Sequence, residues 1–160
     1  MAAHNTPRHA PTDTSLNPVE MRLLGGMLAL NRFLMTLQNK RMPVASFTVG
    51  RDGGGGMRAT ILLDCSPETA RRYTTLLSAL EDVEEIEATE ETMEVALIKA
   101  EDDGWRGSAA RAGIGLHEDG ETIVVSGEPF ALDAWLAEAK DSLQDVVRLG
   151  PLARPGDGGA

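Results

Sequence analysis

The stretch ALNRFLMTLQNKRMPVASFTV, residues 29 to 49, combines a helix pattern with a strand pattern that follows it directly. Four apolar residues fall at i, i+3, i+4 and i+7, the spacing that lines one side of a helix: Leu30, Phe33, Leu34 and Leu37. Pro43 ends the helical pattern, and residues 44 to 49 then alternate as in a half-buried strand. The stretch therefore predicts a helix over residues 29 to 42 and a strand after it.

The segments on either side complete a β-α-β-β-α-β order. Ser66-Pro67-Glu68 is a strong helix start, because serine can cap the first amides and proline tolerates the first helical position. Four glycines at 53 to 56 form the tip of a hairpin loop. The predicted strands of this first unit cover residues 19 to 24, 44 to 49, 57 to 63 and 83 to 88.

The rest of the chain repeats this order in a compressed form. Its predicted strands are 93 to 100, 114 to 117, 122 to 126 and 146 to 149, and its predicted helices are 105 to 113 and 129 to 143. We therefore predict an α+β protein with two consecutive ferredoxin-like βαββαβ units, residues 18 to 90 and 91 to 153. Residues 1 to 17 and 154 to 160 are rich in Pro, Gly and polar residues, which predicts disordered tails.

Composition excludes several classes of function. The net charge of −10 argues against nucleic-acid binding, which depends on neutralising phosphates. No apolar run could span a membrane and no secretory signal is visible, so the cytoplasm is the expected location. A single cysteine, Cys65, and scattered histidines predict neither an intrachain disulfide nor a metal site.

No set of residues predicts catalysis. Ser46 and Thr48 have no histidine nearby in sequence, and the four glycines lack the Gly-Lys-Ser ending of a phosphate loop. The pair Gly25-Gly26 lies between a strand and a helix N-terminus, where backbone amides can hold a carboxylate. These glycines could equally serve a tight turn alone, and the sequence leaves both interpretations open.

Residues 29 to 49 resemble the first helix and second strand of the ACT domain in acetolactate synthase small (regulatory) subunits. That family has an arginine at the position of Arg32 and a Ser-Leu-Thr-Val pattern at the strand end, here Ser-Phe-Thr-Val at residues 46 to 49. Weaker similarities follow in the family's order, from about residue 19 to 153: residues 76–83, 95–99, 125–127, 132–136 and 148–150.

The resemblance implies a non-catalytic subunit that pairs as a homodimer through its ACT domains. Such a subunit binds the thiamine-diphosphate-dependent catalytic subunit, raises its activity and often conveys feedback inhibition by valine, an amino-acid effector. Thiamine diphosphate, magnesium and FAD belong to the catalytic subunit, so no cofactor is expected in this chain. An alternative function is a free-standing ACT-type small-molecule sensor or dimerisation module without an enzyme partner.

The effector positions of this chain depart from the family pattern. Valine-binding members have an Asn-x-x-Gly loop before the first helix and an Asn before the second strand, and the polar side chains are missing here. The corresponding positions are Gly25, Gly26, Met27, Leu28, Pro43 and Val44. This substitution argues against valine feedback. Either Leu28 fills the space of a ligand, or the backbone amides of residues 25 to 28 hold another anion.

Overall fold

The first unit is a four-stranded antiparallel sheet with two helices. The computed structural model of this chain describes residues 15 to 155. Strand order in this sheet is β2-β3-β1-β4, and all neighbouring strands are antiparallel. Its elements are β1 (Ser15–Leu23), α1 (Gly26–Asn39), β2 (Val44–Arg51), β3 (Met57–Cys65), α2 (Pro67–Ser78) and β4 (Val83–Ala88).

The second unit repeats the topology in compressed form. Its elements are β5 (Thr92–Ala100), α3 (Arg106–Arg111), β6 (Gly115–Asp119), β7 (Thr122–Gly127), α4 (Pro129–Ala139), a short 3-10 turn (Lys140–Ser142) and β8 (Leu143–Ala153). Strand order is β6-β7-β5-β8, so this unit keeps a complete sheet. The predicted fold class is confirmed, and α3 has 6 residues where α1 has 14.

Alternation along the strands creates the core of the first unit. On β1, Val19, Met21 and Leu23 are buried against the helices, while the polar residues between them face the other side. Helix α1 contributes its own buried residues, namely Ala29, Leu30, Phe33 and Leu37. The prediction that Leu34 is part of this stripe is wrong, since 40% of it is exposed. At 100° per residue, Leu34 lies roughly 90° from the centre of the buried face.

The ends of the folded region differ from the prediction. The expected tail of residues 1 to 17 is too long, because β1 begins at Ser15. Strand β3 extends to Cys65, which gives Ser15 a ladder partner, and the Asn17 side-chain amide donates to the Cys65 carbonyl at 2.7 Å. In the other expected tail, residues 154 to 160, the Arg154 amide donates to the Glu91 carbonyl at 3.0 Å. The remaining tail residues, 1 to 14 and 156 to 160, lie outside the described residues.

Strand β8 is the largest difference from the sequence-based expectation. It was predicted over residues 146 to 149 and covers Leu143–Ala153. Gly150-Pro151 suggests a strand end, but the β5 to β8 ladder shifts register beside it and resumes with Met93 opposite Leu152. Beyond this shift, the Ala153 amide donates to Thr60 Oγ1 on β3 at 2.9 Å. The end of β8 therefore joins the second sheet to the first unit.

The second helix of each unit begins as its sequence suggests. Ser66 caps α2, since its hydroxyl accepts a hydrogen bond from the Thr69 amide at 3.3 Å. Glu128 caps α4, where its carboxylate accepts from the Phe130 and Ala131 amides. Helix α4 ends four residues earlier than predicted, and its last turn tightens into the 3-10 turn.

No helix in residues 15 to 155 is long and apolar enough to cross a membrane. The cytoplasmic location stays a prediction.

Candidate functional site

The predicted effector loop is a tight turn between β1 and α1. Gly25 has φ +96° and Gly26 has φ +66°. This left-handed backbone conformation would be strained for any residue that has a side chain. A Cβ at Gly25 would also lie 3.2 Å from the Ala29 Cβ. The turn therefore requires both glycines, in agreement with the interpretation that they permit a tight strand-to-helix turn.

The first turn of α1 exposes its backbone amides. Gly25 is the N-cap residue and supplies no side-chain acceptor, and the first turn contains no acidic residue. Uncapped amides at a helix N-terminus carry a partial positive charge. Anion binding by residues 25 to 28 stays a prediction.

An ion pair holds this turn against the loop that precedes β4. Arg32 donates to the Asp82 carboxylate through Nε at 2.8 Å and Nη2 at 2.6 Å, and the Leu24 amide donates to the Asp82 carbonyl at 2.9 Å. Hydrogen bonding from Arg32 lowers the pKa of Asp82, while the carboxylate raises the pKa of Arg32. The arginine that the resemblance singled out therefore has a carboxylate partner within the chain.

The six predicted effector positions fall into two groups at opposite ends of α1. Residues 25 to 28 lie at its N-terminus, whereas Pro43 and Val44 follow its C-terminus. A 14-residue helix is roughly 20 Å long. The strand pairing is consistent with this separation, because Leu23 pairs with Met57 and Val44 pairs with Leu63, near opposite ends of β3. A single chain does not bring the two groups together.

The single chain leaves Leu28 exposed, and the expectation that it fills a ligand space stays a prediction. Leu28 is 65% exposed and Met27 is 74% exposed, so both side chains lie in contact with solvent. At the other end, Val44 packs against the core of the first unit, and the Pro43 carbonyl accepts from the Asp64 amide at 2.8 Å. Pro43 and Val44 therefore act within the chain as structural residues.

Sequence reasoning missed an exposed apolar patch on α1. We call it the α1 patch, and it consists of Met27, Leu28, Leu34 and Met35, each at least 40% exposed. The sequence contained a signal for this patch, because the apolar residues of the helix lie on more of its circumference than a single buried face covers. Exposed apolar side chains in a cluster are typical of a surface that binds another protein.

Metal-binding and thiol chemistry receive no support in the described part of the chain. Within residues 15 to 155, no group of three or more His, Cys, Asp or Glu side chains could hold a metal ion. Cys65 is buried at the end of β3, where burial raises the pKa of its thiol.

Comparison with known proteins yields a structural match without a sequence match. No family model matches this sequence, and neither does any curated protein. The acetolactate synthase small subunit from Thermotoga maritima superposes with a TM-score of 0.69 at 16% identity, over 86% of this chain and 95% of that one. The two proteins share a fold. An unknown protein from Galdieria sulphuraria aligns with a TM-score of 0.40 at 16% identity, over 88% of this chain and all of that one.

Proposed function

We propose that this chain is a non-catalytic regulatory subunit that binds and activates the catalytic subunit of an acetolactate-synthase-like enzyme in branched-chain amino-acid biosynthesis. The observation that carries the proposal is the extent of the structural likeness. It spans both units of this chain and 95% of a small subunit, rather than one common βαββαβ unit. A fold shared over two consecutive units is more specific than a fold shared over one.

The α1 patch supports pairing with a second copy through the first units. It includes Met27 and Leu28, two of the N-terminal effector positions, which the chain itself keeps roughly 20 Å from Pro43 and Val44. A site that contains both groups requires a second protomer, in which the opposite end of α1 supplies the missing half. We propose a homodimer in which the α1 patch is buried.

We propose that valine does not act through these positions. Met27 and Leu28 present apolar side chains where recognition of an ammonium or a carboxylate would need polar groups. The proposed subunit therefore activates its partner without valine sensitivity at this loop.

The test is acetolactate formation from pyruvate by the same organism's catalytic subunit, with and without this protein, and with valine in parallel. We expect a several-fold, saturable activation that valine does not reverse. A Met27→Glu/Leu28→Glu variant should lose dimerisation in sedimentation, because it places charge in an apolar interface. Leu116→Glu, an exposed apolar residue on β6, is the matched control and should remain dimeric.

Absence of both activation and co-purification would contradict the regulatory-subunit proposal and favour the free-standing sensor. A wild-type monomer in sedimentation would contradict the homodimer.

A further inference from the structure

A groove of about 1100 Å³ lies between the two units. The N-terminal half of α2 forms one side with Ala70 and Arg71, and the start of α4 forms the other with Phe130. Further apolar lining comes from Leu16, Leu62 and Pro151. A mostly apolar cleft with a few polar groups at a domain junction is the usual setting for a small-molecule site.

Most charged groups in the groove already have partners. Arg148 on β8 donates to Asp133 on α4 at 2.8 Å and also pairs with Glu94 on β5, which is only 4% exposed. The Glu128 carboxylate caps α4. These contacts connect β5, β8 and α4, so this side of the groove is held in place before any ligand arrives.

Two lining residues, one of each sign, are left for a ligand. Within residues 15 to 155, neither Arg71 nor Glu90 is in an ion pair. A guanidinium suits a carboxylate, and a carboxylate suits an ammonium. The apolar lining suits a hydrocarbon side chain.

We propose that this groove binds a small zwitterion with an apolar side chain, either a free amino acid or a short peptide. Arg71 contacts its carboxylate, Glu90 contacts its ammonium, and Phe130 and Leu62 pack on its side chain. The site is separate from the effector loop at the N-terminus of α1.

Titration calorimetry on the isolated full chain tests this site. The probes are L-leucine and L-leucyl-L-leucine, which distinguish an amino acid from a peptide. Two further probes each lack one charge, 4-methylpentanoate without the ammonium and isoamylamine without the carboxylate. We expect at least one zwitterion to bind, and each single-charge analogue to bind about tenfold more weakly, because it loses one charge-assisted contact.

Arg71→Gln and Glu90→Gln should each weaken zwitterion binding about tenfold. The controls are the neighbouring Arg72→Gln and Glu91→Gln, which are exposed and outside the groove lining and should bind as wild type. Three results would overturn the proposal: no binding of either zwitterion at millimolar concentration, equal binding of a single-charge analogue, or equal losses in test and control variants. Because no catalytic subunit is present, these results are independent of the activation test.

Discussion

The first helices of the two units show how one topology can be stabilised in two ways. Helix α1 has 14 residues and buries four of them, including Leu30 and Phe33. Helix α3 has 6 residues and buries only Ser108 and Ala109. A helix of six residues is marginal by itself, so the second unit needs another source of buried area.

Two tryptophans supply that area. Trp105, directly before α3, and Trp135 on α4 are each 1% exposed, and their rings meet edge-to-face with centroids 6.3 Å apart. Ser108 connects them, since its hydroxyl accepts from Trp135 Nε1 at 3.1 Å and donates to the Trp105 carbonyl at 2.8 Å. Aromatic bulk therefore replaces helix length in the second unit, and it concentrates stability in few residues.

The largest expected effect comes from removing one of these tryptophans. Trp105→Ala should lower the free energy of unfolding by about 3 to 5 kcal/mol, because it leaves a large cavity under α3. Trp135 is then the only tryptophan of the chain. Its fluorescence during urea unfolding therefore reports on the second unit.

Trp105→Phe is the matched control for this variant. Among the described residues Trp105 Nε1 has no hydrogen-bond partner, so a phenyl ring keeps most of the packing and removes an unsatisfied donor. If Trp105→Phe lowered the free energy of unfolding as much as Trp105→Ala, this would contradict the importance of ring bulk.

A smaller effect should come from the junction between the units. Thr60→Val removes the acceptor of the buried Ala153 amide, which costs about 1 to 3 kcal/mol. Thr60 lies in the first unit, whereas both tryptophans lie in the second. We therefore expect the urea midpoint from tryptophan fluorescence to fall, which would show that β8 couples the two units.

Thr48→Val is the control for the junction, since Thr48 lies opposite Thr60 in the β2 to β3 ladder. Its substitution should leave the midpoint nearly unchanged. Equal midpoints for wild type and Thr60→Val would instead mean that the two units unfold independently of this contact.

The smallest effect concerns the ion pair that anchors α1. Hydrogen bonding from Arg32 lowers the pKa of Asp82, so the pair stabilises the folded state above the unfolded pKa of about 3.9 and loses this contribution as the pH falls through the folded pKa. Wild type should therefore melt at a higher temperature than Asp82→Asn at neutral pH. The melting temperatures of the two proteins should converge as the pH falls below about 4.

The melting temperature of Arg32→Gln should also converge with that of wild type over this acidic range, because the substitution removes the other partner of the ion pair. Glu85→Gln, an exposed residue on β4 that does not act on Arg32 or Asp82, should follow wild type throughout. A gap between wild type and Asp82→Asn that persists below the folded pKa would indicate a structural role for Asp82 without the ion pair.

The sequence predicted local features well where neighbouring residues decide them. The Ser66 cap, the hairpin at residues 53 to 56 and strand β4 at Val83–Ala88 were all predicted and are confirmed. Prediction failed where distant residues decide the outcome. Strand β8 continues past Gly150 because β5 supplies partners for it, and Leu34 is exposed because α1 packs on the sheet through the face that carries Leu30 and Phe33.

The sequence alone determined the order of elements and the compression of the second unit, because periodicity, capping residues and proline positions act over a few residues. The resemblance to the small-subunit family, and not a local pattern, indicated the six predicted effector positions. Only the tertiary structure separated those positions to the two ends of α1, exposed the α1 patch and opened a groove between α2 and α4. These features depend on which distant surfaces pack together, and that is decided by the burial of the whole chain rather than by any local pattern.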